Sequence, residues 1–168
     1  HRPYVEQTEF KEALRFKGDI AVIHLGINDT DPRNWPNYRD EFVKDYLSII
    51  DSLRAANPKV RFILARMTPI ADRHPRFQSG TKQWHDEIQT AIETVARVSG
   101  AELIDFHEPL YPYPNLLPDA IHPNPEGAGI LAKTVYGGIT GNYGGLRMSS
   151  LYADDMVLQR DMPLDIHG

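Results

Sequence analysis

Gly18-Asp19-Ile20-Ala21-Val22-Ile23-His24-Leu25-Gly26-Ile27-Asn28-Asp29 is the stretch that decides the fold. Ile20 through Leu25 is a short, mostly apolar run with β-branched residues, and Gly26 stops it. Such a run between breakers suits a strand buried on both faces, as in a parallel sheet. Upstream, Phe10, Ala13 and Leu14 sit at helical spacing, which predicts a short helix near 6–16. Downstream, 27–37 reads as a loop of Asn, Asp, Pro and Trp. Phe42, Val43, Tyr46, Leu47, Ile50 and Leu53 then recur at three- and four-residue steps, the signature of an amphipathic helix. Asn57-Pro58 ends it, because proline disfavours the helical conformation in the residue before it.

The alternation continues. Val60–Ala65 reads as a second strand, and Trp84, Ile88, Ala91, Ile92 and Val95 mark a second helix that closes near Gly100. Glu102–Phe106 is a third strand. A proline-rich loop over 107–125 leads to a last helix, opened by Asn124 or Pro125 and ended by Gly137-Gly138. Strand, helix, strand, helix, strand, helix predicts an α/β fold with a parallel sheet. The glycine-rich stretch 137–145 reads as a linker. Beyond it, Met156-Val157-Leu158 and the alternating Leu164 and Ile166 are strand-like, too short a segment for a domain.

The chain has 168 residues, 41% hydrophobic and 24% charged, which is globular composition and about one domain. Its net charge of −5 gives no basic footprint for nucleic acid or an anionic membrane, and neither is expected as a partner. No apolar run reaches the roughly 18 residues that a membrane-spanning helix needs. With no cysteine there are no disulfides, cysteine-ligated zinc or thiol catalysis. The chain opens on His1 rather than Met, so it is expected to be a processed, engineered or partial polypeptide.

In open parallel sheets, ligands collect beyond the carboxyl ends of the strands. Two groups of polar residues follow strands here. Asp119 precedes His122 by three residues, just ahead of a helix. That carboxylate can fold back onto the imidazole N–H, fix its tautomer and leave the other nitrogen as a general base. The same spacing also fits an Asp capping the helix beside a solvent-exposed His. Asn28 follows Gly26 at a strand end, where its amide can donate to a developing oxyanion; a plain turn fits the same residues. A metal held by Asp29, Asp119 and His122 is a third option. His24 is expected as a satisfied core histidine, and His74, His85 and His107 as surface or loop residues.

Read jointly, these motifs resemble the SGNH (GDSL-type) hydrolase family over about residues 1–140. Its third block, Gly-x-Asn-Asp at a strand end, is matched by Gly26, Asn28 and Asp29. Its fifth block, Asp-x-x-His before the last helix, is matched by Asp119 and His122, with Pro123, Asn124 and Gly127 alongside. The resemblance implies a flavodoxin-like three-layer α/β/α sandwich with sheet order 2-1-3-4-5. It implies ester hydrolysis by a Ser–His–Asp triad without a cofactor or metal. Asp119 would orient, His122 would act as base, and Asn28 with Gly26 would form the oxyanion hole. A periplasmic or secreted bacterial location is the matching expectation.

The tail, Leu151 to Pro163, resembles the opening of the sialate O-acetylesterase family's domain, so 141–168 is expected to be a linker and the first strands of a second domain. This resemblance implies an O-acetylated sugar or glycan as substrate, with sialic acid among the candidates. The stretch from Thr30 through Asn34-Trp35 to Phe42 is similar to the same subgroup, which makes Asn34 and Trp35 candidate substrate contacts; Trp35 reads equally as an aromatic anchoring its loop.

The family's first block, Gly-Asp-Ser, which supplies the nucleophile, has no counterpart, nor does the glycine of the second block. Gly18-Asp19-Ile20 carries Ile where the serine belongs. The first two strands of the domain are therefore expected to be missing, leaving the strand at 20–25 with an apolar edge that a complementing segment would cover. The upstream segment of the same domain is the expected partner. A glycan-binding module without catalysis, using the Trp35 loop and the 107–125 loop, is the competing reading.

Overall fold

The computed structural model describes residues 3–71, 73–74 and 81–143. Three strands form one parallel sheet in the order β1-β2-β3: β1 is Ile20–Ile23, β2 Arg61–Arg66 and β3 Glu102–Asp105. The helices are α1 (Thr8–Phe16), α2 (Trp35–Ala56), α3 (Thr81–Ser99) and α4 (Pro125–Thr140). The β-α-β alternation expected from the sequence is the observed order.

The pleat of β2 sorts the core into two sides. Phe62 and Leu64 face α1, α2 and α3, in a cluster with Tyr46, Ile50, Ile88, Ile92 and Val95. Ile63 and Ala65 face the opposite way and pack with Ile104, Phe106 and the Leu131, Val135 and Ile139 stripe of α4. Successive strand residues point to opposite faces, so a strand covered on both sides is apolar throughout. This is a three-layer α/β/α sandwich. Fully buried Ile50, Ile88, Ile92 and Val95 lie on the helix faces that periodicity assigned to the core, with Trp84, Phe42 and Leu53 partly covered.

Several local expectations are corrected. β1 is not buried on both faces, since Ile20 and Val22 remain 40% and 39% exposed. The α4 stripe packs on β2 and β3 only, so the α4-side face of β1 is bare among the described residues. The segment 27–37 is not all loop: Ile27–Thr30 is a 3-10 turn, and α2 already begins at Trp35, with a proline in its first turn where no N–H is needed. Gly137-Gly138 does not end α4, which runs to Thr140. A Cβ on Gly138 would stand 2.8 Å from the Ile104 side chain, so glycine there lets the helix lie close on β3. His24 stands just beyond β1, exposed, with its ring edge-on to Phe106 5.0 Å away. His85 is buried rather than at the surface.

Both ends of α4 are tied. The Asn124 side-chain oxygen accepts the Gly127 N–H at 2.9 Å, capping its start. At its end Arg61 donates to the carbonyls of Gly138 and Ile139 at 2.7 and 2.8 Å while gripping Glu102 at 2.5 and 2.6 Å. Among the described residues, no helix is long and apolar enough to cross a membrane. The strand-like pieces of the tail, the sialate-like segment and almost all of 141–168 lie outside the described residues.

Candidate active site

The chain leaves β1 through Gly26, whose φ of +121° is a conformation side-chain-bearing residues rarely adopt. A Cβ there would lie 2.9 Å from both the Ile88 side chain and the Met67 sulfur. Glycine is required twice over, by torsion and by space. The turn that follows is knitted locally: the Asp29 N–H donates to the Gly26 carbonyl at 2.9 Å, and the Thr30 hydroxyl to the Ile27 carbonyl at 2.6 Å. The Asn34 amide donates to the Asn28 carbonyl at 2.9 Å. Asn28 itself is exposed. Burial pushes the Asp29 carboxyl up to about 6, against a smaller opposing pull from its own backbone N–H.

The second segment follows β3 by way of the long loop. Asp105 shapes the exit: one oxygen accepts the His107 and Glu108 N–H groups at 2.7 and 3.2 Å, and the other accepts Arg66 Nη1 at 2.9 Å. Further along, Asp119 Oδ1 accepts the backbone N–H groups of Ile121 (3.0 Å) and His122 (2.7 Å), while Oδ2 meets His122 Nδ1 at 2.6 Å. The His122 N–H, then the imidazole and the Ile121 N–H, hold the Asp119 carboxyl well below the usual carboxylate range. An ionised carboxylate only accepts, so Nδ1 carries the imidazole proton and Nε2 presents its lone pair. The His122 side chain is 78% exposed and that of Asp119 54%, so the pair faces outward.

The backbone between them is held in an uncommon shape. Ala120 has φ +73° and is buried. Its carbonyl accepts the Ala71 N–H at 2.9 Å and its N–H donates to the Leu117 carbonyl at 2.9 Å. Arg73 donates to the Leu117 and Pro114 carbonyls. Ala71 and Arg73 belong to the loop after β2, and Met67, beside Gly26, also directly follows β2. Both candidate segments therefore stand at the carboxyl end of the sheet, where parallel folds collect their ligands.

The structure thus brings Asp119 and His122 into contact and places Gly26 and Asn28 at the same end of the sheet. Trp35 is a correction. It is 5% exposed, its ring lies edge-on to Phe42 at 5.5 Å, and its indole N–H donates to Glu87 at 2.7 Å. It leaves no face for a sugar; it fastens α2 to α3. Asn34 serves the Asn28 turn as a backbone partner. Ser48 and Ser52 lie within α2, and Ser99 ends α3, just ahead of β3 and so at the opposite end of the sheet. Ser79, Ser149 and Ser150 lie outside the described residues. No group of three or more His, Asp or Glu side chains able to hold a metal ion occurs among the described residues.

Sequence reasoning missed the Ala71 and Arg73 clamp and the buried Gln89. The Gln89 amide closes on the end of β2, accepting from the Met67 N–H at 2.7 Å and donating to its carbonyl at 3.2 Å. A glutamine on the apolar stripe of α3 was the available signal.

A family model described as the GDSL-like lipase/acylhydrolase family matches residues 2–130. An acetylxylan esterase from Xylanibacter ruminicola is 35% identical over 150 residues, covering 79% of this chain and 31% of that protein. The chain therefore spans about a third of the length of this curated relative. Among solved structures, an acetylxylan esterase from Geobacillus stearothermophilus superposes with a TM-score of 0.56 at 23% identity, covering 80% of this chain and 65% of that one. The acetyl xylan esterase AlAXEase gives 0.62 at 19% identity, covering 77% and 71%. At these identities the two structures speak for the fold.

Proposed function

The chain belongs to the GDSL-like lipase/acylhydrolase family, and from that membership we propose that it is part of a serine esterase removing O-acetyl groups from carbohydrate. The observation that carries the reading is the Asp119–His122 bond at 2.6 Å with Nε2 turned outward. In this reading Nε2 takes the proton of a seryl hydroxyl as that oxygen attacks the ester carbonyl, then returns it to the departing sugar oxygen. Water repeats the cycle on the acyl-enzyme and releases acetate. Asp119 holds the tautomer and stabilises the imidazolium. Asn28, with the backbone at Gly26, stabilises the oxyanion.

No serine among the described residues stands at the carboxyl end of the sheet, and Gly18-Asp19-Ile20 carries Ile where the family's first block has its serine, so in this reading the nucleophile comes from a segment outside 1–168. The bare apolar face of β1, Ile20 and Val22, and its open edge favour pairing with further strands of the same domain. Residues 1–140 are then the later part of one catalytic domain. The tail beyond 141 is read as the start of a sialate O-acetylesterase-like domain, on the resemblance of Leu151–Pro163. The acetylxylan esterase relative favours acetylated xylan as substrate over sialic acid. The glycan-binding alternative loses the Trp35 half of its platform, because Trp35 is buried, and keeps only the 107–125 loop.

Acetate release from acetylated xylan, an O-acetylated sialic acid and an aryl acetate tests this in three samples: residues 1–168, the completed domain, and the completed domain with His122→Ala. Only the completed domain with intact His122 should turn over, since loss of a triad serine costs about 10⁶ in kcat. Full activity of 1–168 would assign another nucleophile. An inactive completed domain would refute the esterase reading.

A further inference from the structure

A cavity of about 410 Å³ lies between the loop after β2, the first turns of α3 and the loop after β3. Its size falls in the range of about 300–1,000 Å³ usual for small-molecule sites. One wall is a ladder of three rings. His85 is pinned by its Nε2–H to the Thr68 carbonyl at 3.0 Å; its ring stands 5.5 Å from that of His107, and His107 is stacked on Tyr111 at 5.1 Å. Burial pulls the His85 imidazole below its ordinary value, so it stays neutral beside His107. Tyr111 ends the ladder, 61% exposed. Leu110 and Leu117 supply apolar floor, and Asp86 supplies a carboxylate.

We propose that this cavity holds a sugar residue of the acetylated chain, one flanking the unit that reacts at His122. The proposal rests on the esterase reading above and adds a subsite to it. A pyranose ring has apolar C–H faces and a hydroxyl rim. The cavity offers the same combination, an aromatic and aliphatic interior with a polar group at its edge. Asp86, Arg73 and Lys82 also line the cavity, and such charged groups can bond the hydroxyl rim of a sugar, whereas an acyl chain gives them nothing to bond. Chain connectivity puts the cavity next to the chemistry: Leu117 lines it, and Asp119 is two residues on.

Calorimetric titration of the complete protein with unacetylated xylotetraose tests this without any turnover. Tyr111→Ala should weaken binding about tenfold, equivalent to ~1.4 kcal/mol, and Tyr111→Phe should keep it within about twofold. Asp86→Ala, on a separate helix, should weaken it in the same sense. Equal affinity in wild type and Tyr111→Ala, or no binding by the wild type, overturns the subsite. So does binding of hexanoate in place of the oligosaccharide, which would assign the cavity to an acyl chain. Tyr111-dependent binding in a protein that releases no acetate from acetylated xylan would instead sink the esterase reading and leave the subsite standing.

Discussion

Replacing Asp119 by Asn tests the site at its most specific point. The substitution is nearly isosteric. Asn Oδ1 can still accept the Ile121 and His122 N–H groups, now at 3.0 and 2.7 Å, so the loop keeps its shape. What changes is the atom facing Nδ1. A carboxylate oxygen at 2.6 Å becomes an amide NH₂, which only donates. Nδ1 must then accept, the ring proton moves to Nε2, and the nitrogen turned toward substrate no longer has a lone pair. In a serine protease the same exchange lowers kcat by about 10⁴ through the wrong tautomer. Here the pair is exposed, and water can stabilise either tautomer, so the expected loss in the completed domain is smaller, about 10²–10³. The tautomer can be read directly in 1–168 from imidazole nitrogen chemical shifts. Wild type should carry the proton on Nδ1 and Asp119→Asn on Nε2. An unchanged tautomer, or an aryl acetate kcat within threefold of wild type, would refute the roles assigned to both residues.

Gly26→Ala should cost about 2–4 kcal/mol in urea titrations, because it combines a disallowed φ with two contacts at 2.9 Å; a loss under 0.5 kcal/mol would mean the turn relaxes freely. Asp29 has its carboxyl raised to about 6, so it favours folding below its unfolded value near 4, and that contribution is lost as pH rises through 6. Asp29→Asn should therefore stabilise the protein at pH 7.5, by on the order of 1–3 kcal/mol, and bring no gain at pH 4; thermal melts at the two pH values decide it. Ile92→Ala, at a fully buried site against Leu64 and Ile88, should cost roughly 2–5 kcal/mol in the same titrations.

What the sequence made legible was whatever is local or periodic. The three strands and the inward faces of α2 and α3 follow from side-chain spacing, and the Asp119–His122 bond spans three residues. Trp35 misled because an aromatic in a polar stretch looks like a surface feature. Its burial depends on Glu87, 52 positions away, and on a helix that starts while the composition still reads as turn. Gly137-Gly138 misled because glycine serves both to end helices and to let them approach a sheet. The Ala71–Ala120 clamp was invisible for another reason: a backbone-to-backbone bond between two loops leaves no trace in side-chain identity. β1 was read as buried on both faces because its composition is that of a covered strand.

Arg61 divides the molecule's labour between two poles. At the amino end of the sheet one guanidinium joins β2, the first residue of β3 and the last carbonyls of α4. The opposite pole holds the loops that carry Asn28, Asp119 and His122. Evolution can lengthen, shorten or rewrite those loops to suit a new ester while the fastening at the far pole stays untouched. The same separation suggests how to redesign the protein: randomise 107–118 and keep Arg61, Glu102 and the α4 terminus fixed, so that each new loop is displayed on an anchored frame.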